Sequence, residues 1–89
     1  MSVSKNLVIK NRKGLHARAA AAFVKIAEKY DACIEVEKSG QKVSGCSIMG
    51  LMLLAAAMGT TITIYADGHD EENAINELCK LVDDKFGED

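Results

Sequence analysis

The amino-acid sequence predicts an α+β fold. We expect a two-layer open-faced sandwich, with a four-stranded, mainly antiparallel sheet carrying three helices on one face in the order β-α-β-β-α-β-α. Three observations predict it. Short β-branched runs with period-2 alternation are separated by segments with helical spacing of apolar residues. The polar alternate positions of the strands leave one sheet face wet. The chain has 89 residues, 48% of them hydrophobic, enough for one core and one domain over residues 1–89.

The elements follow in order. Val3 to Lys10 has strand character, with Leu7, Val8 and Ile9 apolar. Asn11 to Leu15 is a loop whose sharp turn needs the freedom of Gly14. Residues 17–29 form a helix: alanines favour it, and Ala20, Phe23, Val24 and Ala27 make its apolar stripe. Ala19 and Ile26 fall off that stripe, and Tyr30-Asp31 closes the helix. Ala32 to Lys38 alternates as a second strand, Ser39-Gly40 is a two-residue hairpin turn, and Gln41 to Ser44 is the partner strand. Ser47 suits the N-cap of a second helix, apolar nearly all round, which runs from Ile48 to Met58 and is stopped by Gly59. Thr60 to Ala66 is the fourth strand. Asp70 suits the cap of a third helix, and Glu71 and Glu72 suit its positive end. Its stripe is Ile75, Leu78, Cys79, Val82 and Phe86; Gly87 ends it, and Glu88-Asp89 is a frayed tail.

Composition narrows the function. The formal net charge of −2 and the low aromatic content, 4%, disfavour a nucleic-acid binder. No segment is long and apolar enough for a membrane span, and no signal peptide is recognisable. The three cysteines, Cys33, Cys46 and Cys79, lack the spacing of a zinc site or a disulfide framework. They read as reduced thiols of a cytoplasmic protein, with Cys33 and Cys79 as small core residues. Charge is uneven: Lys10, Arg12, Lys13, Arg18, Lys25 and Lys29 cluster early, while the acids gather in the last third. The asymmetry fits an anionic ligand or acidic partner near the first helix, or simply dipole complementarity and solubility.

Two stretches carry chemistry. In Gly14-Leu15-His16-Ala17-Arg18-Ala19-Ala20 a histidine stands at a helix start with an arginine two residues on. The unpaired N–H groups of a helix start favour an anion. In Ser47-Ile48-Met49-Gly50-Leu51-Met52 an apolar helix follows a serine. A short helix on a small domain cannot bury every side, so part of this one marks a contact surface. His69, in the Asp67-Gly68-His69-Asp70 turn, reads as a solvated turn residue or an accessory cap of the third helix.

These two motifs, their separation and the element order resemble the HPr family, the histidine-containing phosphocarriers of the bacterial phosphoenolpyruvate-dependent phosphotransferase system. The resemblance covers essentially the whole chain. It implies that His16 is phosphorylated through Nδ1, that Enzyme I supplies the group and that IIA proteins or domains accept it. Arg18 and the N–H groups of Ala17 and Arg18 would stabilise the phosphoryl group. Ala17, Ala20, Phe23, Ile48, Met49, Leu51 and Met52 would form the docking surface. Ser47 corresponds to a regulatory serine phosphorylated by the HPr kinase/phosphorylase in part of the family. The resemblance implies a monomeric carrier without metal or cofactor, Mg²⁺ belonging with Enzyme I. Two departures stand out. Cys46 takes the place of a lysine found in many kinase-regulated members, and Ala19 takes the place of a proline found in sugar-transport members. The second resembles proteobacterial and nitrogen-related branches, in which the output can be regulation rather than sugar uptake.

Overall fold

The computed structural model describes residues 2–88. Its elements are β1 (Ser2–Val8), α1 (Ala17–Ala27), β2 (Cys33–Lys38), β3 (Gln41–Ser44), α2 (Ile48–Leu53), β4 (Thr61–Asp67) and α3 (Glu71–Asp83), followed by a 3-10 turn at Lys85–Gly87. The four strands form one antiparallel sheet in the order β1-β4-β2-β3. The expected architecture is therefore present.

Alternation sets the two faces of the sheet. Ile34 and Val36 of β2 and Ile62, Ile64 and Ala66 of β4 are buried against the helices. On the other side Tyr65 donates to Glu37, and the Lys42 ammonium sits 4.4 Å from the Tyr65 ring centre. Ser39 and Gly40 close the β2–β3 hairpin with φ of 52° and 84°. Two positive values match the twist of the strands they join. From α1 the core takes Ala19, Ala20, Phe23, Val24 and Ala27; from α3 it takes Ala74, Ile75, Leu78 and Val82.

Several local expectations change. Ala19 is buried, because α1 packs against both α2 and α3 and needs a broader apolar face than one stripe. Helix α1 ends at Ala27 because the next residues are bound elsewhere. Lys29 pairs with Glu77 of α3 at 2.8 Å, Tyr30 donates to the same carboxylate, and the Asp31 N–H donates to Asp70 Oδ2 at 2.8 Å. That last bond also explains why Asp70 stands at the N-cap of α3 without capping it through its side chain. Cys33 is exposed, because the alternation that buries Ile34 turns Cys33 away, and Cys79 is only half-buried on α3.

Helix α2 is shorter than its alanine-rich sequence predicts. It stops at Leu53, and Ala55 takes a left-handed φ of 52°. The terminal carbonyls have partners from outside the helix. Lys38 Nζ donates to Leu54 O at 3.0 Å and to Ala55 O at 3.2 Å, and the Leu15 N–H donates to Ala56 O at 2.9 Å. These bonds replace the ladder that would continue the helix. The C-terminal stretch also departs from a simple helix. Lys85 and Phe86 have φ of 57° and 56°, and Gly87 has 76°. Three left-handed residues turn the chain sharply while Phe86 stays buried, which brings Glu88 back to the start of α1. Asp89, the end of the expected frayed tail, lies outside the described residues.

Candidate functional site

The site begins with the loop between β1 and α1. Gly14 has φ of 65°, and a Cβ there would lie 2.3 Å from Ala56 O, far inside contact distance. Only glycine lets the loop lie against the segment after α2. Asn11, buried at the loop's start, donates from Nδ2 to Gly14 O at 2.8 Å and to Glu88 Oε1 at 3.1 Å. One side chain thus ties the loop to the end of the chain.

His16 is the N-cap residue of α1 and has extended backbone. It makes no side-chain capping bond. Its ring instead places Nε2 2.6 Å from Glu88 Oε2. Burial raises the Glu88 carboxyl, but hydrogen bonds from Asn11 and His16, with the charges of His16 and Lys13, outweigh it and hold the group below its ordinary value. Glu88 is therefore a carboxylate near neutral pH, and a carboxylate can only accept. In the neutral form of the ring, a proton on Nε2 satisfies this pairing and leaves the lone pair on Nδ1. The intrahelical ladder of α1 starts with the Ala20 N–H donating to His16 O at 2.8 Å. The N–H groups of Ala17 and Arg18 precede it at the positive end of the helix.

Cations surround this helix start. Arg12, Lys13, Arg18, Gly87 and Glu88 line an open cavity of about 420 Å³. A second hollow of about 220 Å³ is lined by Lys13, Leu15, His16 and Ala55 to Ala57. Two other members of the basic cluster pair with α3: Lys10 with Asp83 at 3.2 Å and Lys29 with Glu77. Part of the charge asymmetry is thus internal pairing, and the cations at the cavity are Arg12, Lys13 and Arg18.

Ser47 caps α2, its Oγ accepting from the Gly50 N–H at 2.9 Å. It lines neither cavity beside His16. The wall that His16 shares with the α2 region is Ala55 to Ala57, after the helix rather than at its start. The expected docking set divides. Ala17 is exposed, as are Ile48, Met49 and Met52. Ala20, Phe23 and Leu51 are buried at 0%, 1% and 0% exposure, so these three are core and offer no surface. All three belong to the buried hydrophobic core. Leu53, 68% exposed, joins the apolar patch unexpectedly, and Met58 is exposed as well. His69 is exposed in its turn. Among the described residues no cluster of three His, Cys, Asp or Glu could hold a metal ion, and no helix is long and apolar enough to cross a membrane.

Glu88 is the residue that sequence reasoning missed. Nothing local marks it, since an acidic residue near a chain end looks solvated. The signals that could have found it are Phe86, an apolar anchor too far along to leave the tail free, and Gly87, which permits the turn.

Known proteins resemble this arrangement over its whole length. A family profile described as the PTS HPr component phosphorylation site matches residues 3–84. The phosphocarrier protein HPr of Cupriavidus necator is 38% identical over 86 residues, which covers 97% of each chain. The phosphocarrier protein NPr of Shewanella violacea is 40% identical, covering 97% of this chain and 94% of the relative. A crystal structure of HPr from Thermoanaerobacter tengcongensis superposes with a TM-score of 0.94 at 46% identity, covering 98% of each chain.

Proposed function

We propose that this chain, which belongs to the HPr family, takes a phosphoryl group from phospho-Enzyme I on His16 Nδ1 and passes it to IIA proteins or domains. The family makes it a phosphocarrier protein of the phosphotransferase system, a carrier rather than a catalyst. The observation that carries the assignment to His16 is the 2.6 Å contact between Nε2 and Glu88, which leaves the Nδ1 lone pair available.

The Nδ1 lone pair attacks phosphorus, and the bond from phosphorus to the Enzyme I leaving group breaks on the opposite side. The ring gains positive charge as the N–P bond forms. Glu88 keeps the Nε2–H bond and stabilises that charge, as a carboxylate behind an imidazole does in other nucleophilic sites. The Ala17 and Arg18 N–H groups and the Arg18 guanidinium face the three phosphoryl oxygens. In the second transfer an acceptor nucleophile attacks the same phosphorus, the N–P bond breaks and the electron pair returns to Nδ1. Partial exposure of His16, 27% for its side chain, suits a group that must be delivered and removed by other proteins. Those partners would dock on Ala17 and on the exposed Ile48, Met49, Met52 and Leu53. Methionine adapts to partners of different shape. We place the carrier in the cytoplasm, as a monomer without metal or cofactor.

Ser47 is the proposed regulatory position, phosphorylated by an HPr kinase/phosphorylase. A dianion there would enter the apolar patch and weaken Enzyme I docking. A second reading, regulation without a role in sugar uptake, draws support from Ala19, where sugar-transport members carry proline, and from the similarity to an NPr. The test of the main reading is incubation with phosphoenolpyruvate, Mg²⁺ and Enzyme I, followed by intact mass. An acid-labile phosphate adduct on the wild type, absent from His16→Ala, is expected. An undiminished adduct on His16→Ala would overturn the assignment.

A further inference from the structure

Two of the three cysteines are exposed, and both flank the β2–β3 hairpin far along the chain from its turn. The β2–β3 register pairs Lys38 with Gln41, Glu37 with Lys42, Val36 with Val43 and Glu35 with Ser44. The pairing continues one step past the ladder, because the Gly45 N–H donates to Ile34 O at 2.7 Å. Gly45 lies so close that a Cβ there would meet Ile34 Cγ2 at 2.5 Å. Continued one further step, this register would oppose Cys33 and Cys46. The Gly45 N–H bond to Ile34 O marks that step as a hydrogen-bonded one, so the Cys33–Cys46 step after it would be a non-hydrogen-bonded one. Opposed Cα atoms at such sites are about 4.5 Å apart in a regular ladder, within the span that a disulfide bridges. Here β3 has given way to a turn, in which the Ser47 N–H donates to Ser44 O at 3.3 Å, so Cys46 stands at the ladder's end, where the backbone can adjust.

We propose that Cys33 and Cys46 form a reversible intrachain disulfide, a redox modification site separate from His16. The oxidant is a peroxide. One thiol attacks the peroxide O–O bond, giving a sulfenic acid and one water. The second sulfur then attacks the sulfenic sulfur, its S–OH bond breaks, and the departing hydroxide takes the remaining thiol proton as a second water. Two thiols lose two electrons and two protons, and one hydrogen peroxide is reduced to two waters. A dithiol reductant reverses the bond by exchange. Burial, with the negative charge of Glu28 and the neighbouring Cys33, pushes the Cys46 thiol up, which suits Cys46 to the resolving step rather than the first one. Cys79 lies on α3, outside this hairpin, and serves as an internal control. Closure would clamp the residue before Ser47 to the start of β2.

The test counts thiols. The reduced full-length chain is treated with hydrogen peroxide, excess peroxide is removed, and free thiols are alkylated and counted by mass. The count should fall from three to one, with the remaining label on Cys79 and the chain still monomeric. Dithiothreitol should restore all three. The Cys79→Ser variant should close as the wild type does, while Cys33→Ser and Cys46→Ser should form no intrachain disulfide at the same dose, Cys46→Ser carrying at most one added oxygen on Cys33 from the first step. Three labels on the peroxide-treated wild type, a bond joining two chains, or a bridge that involves Cys79 would each overturn the proposal.

Discussion

The starts of α1 and α2 place similar backbones in different service. His16 and Ser47 are both N-cap residues with extended φ/ψ. Ser47 turns its side chain back onto its own helix and accepts the Gly50 N–H. His16 turns its ring outward to Glu88, a residue 72 positions away in sequence. A side-chain cap occupies the anion-binding potential of a helix start. A histidine held from outside leaves that potential open. The difference lies less in the cap residues than in what holds them. Ser47 is positioned locally, whereas His16 is positioned by the loop at Gly14, the buried Asn11 and the returning C-terminal segment.

The largest expected effect breaks that support at the loop. Gly14→Ala forces a Cβ to 2.3 Å from Ala56 O at a φ of 65°. Clash and left-handed strain together should cost about 3 kcal/mol. In a domain of this size that lowers Tm by roughly 12–24 °C in a thermal unfolding scan. Gly40→Ala is the comparison, since its φ is 84° but a Cβ there meets nothing within 4 Å. Its cost should be about 1 kcal/mol. Equal costs would mean that close approach at Gly14 does not support the site.

The next effect concerns Glu88. Glu88→Gln keeps the shape but can no longer enforce Nε2 protonation by charge, and phosphoryl transfer from Enzyme I should slow by about tenfold in a single-turnover assay. Ring ¹⁵N shifts give an independent readout: the wild type should show the Nε2–H tautomer, the variant a mixture. The pH dependence follows from the sign of the shift. The Glu88 carboxyl lies below its ordinary value in the folded chain, so its contribution is fully present above the unfolded value of about 4.3 and is lost as pH falls through the folded one. The Asn11–Glu88–His16 linkage should thus persist through neutral pH and release only in acid, and Glu88→Gln should remove that acid-dependent step. An unchanged transfer rate and an unchanged tautomer in Glu88→Gln would separate His16 from its outside support.

How far the sequence was readable follows the same division. The alternation of Ile34 and Val36, of Ile62 and Ile64, and the stripe of α3 marked the sheet and helix faces, because periodicity records burial directly. Ser39-Gly40 marked its turn, because backbone needs are local. What escaped was long-range. Nothing in Ala55 shows that Lys38 and Leu15 take the last carbonyls around it, so α2 looked five residues too long, ending at Leu53 rather than Met58. Phe23 and Leu51 looked available for docking because an apolar residue on a helix does not show whether its neighbours cover it. Glu88 was the least readable: its role depends on three left-handed residues in succession that bend the chain toward a loop near its beginning.

The smallest effect tests the two caps against each other. Ser47→Ala removes a side-chain bond to the Gly50 N–H, and such caps contribute about 1 kcal/mol. In a domain of this size that is roughly 4–8 °C in Tm. His16→Ala removes no capping bond, because the ring makes none, so as a cap it has nothing to lose and its Tm should fall by less than that of Ser47→Ala. The functional order is the reverse: His16→Ala should abolish the phosphate adduct, while Ser47→Ala should still accept phosphate from Enzyme I. The pair of measurements separates a helix start built for stability from one left open for chemistry. If His16→Ala were the more damaging to Tm, the contact with Glu88 would be holding the C-terminal segment as firmly as it holds the ring. The histidine would then be a structural link between the first helix and the end of the chain as well as the proposed phosphoryl acceptor.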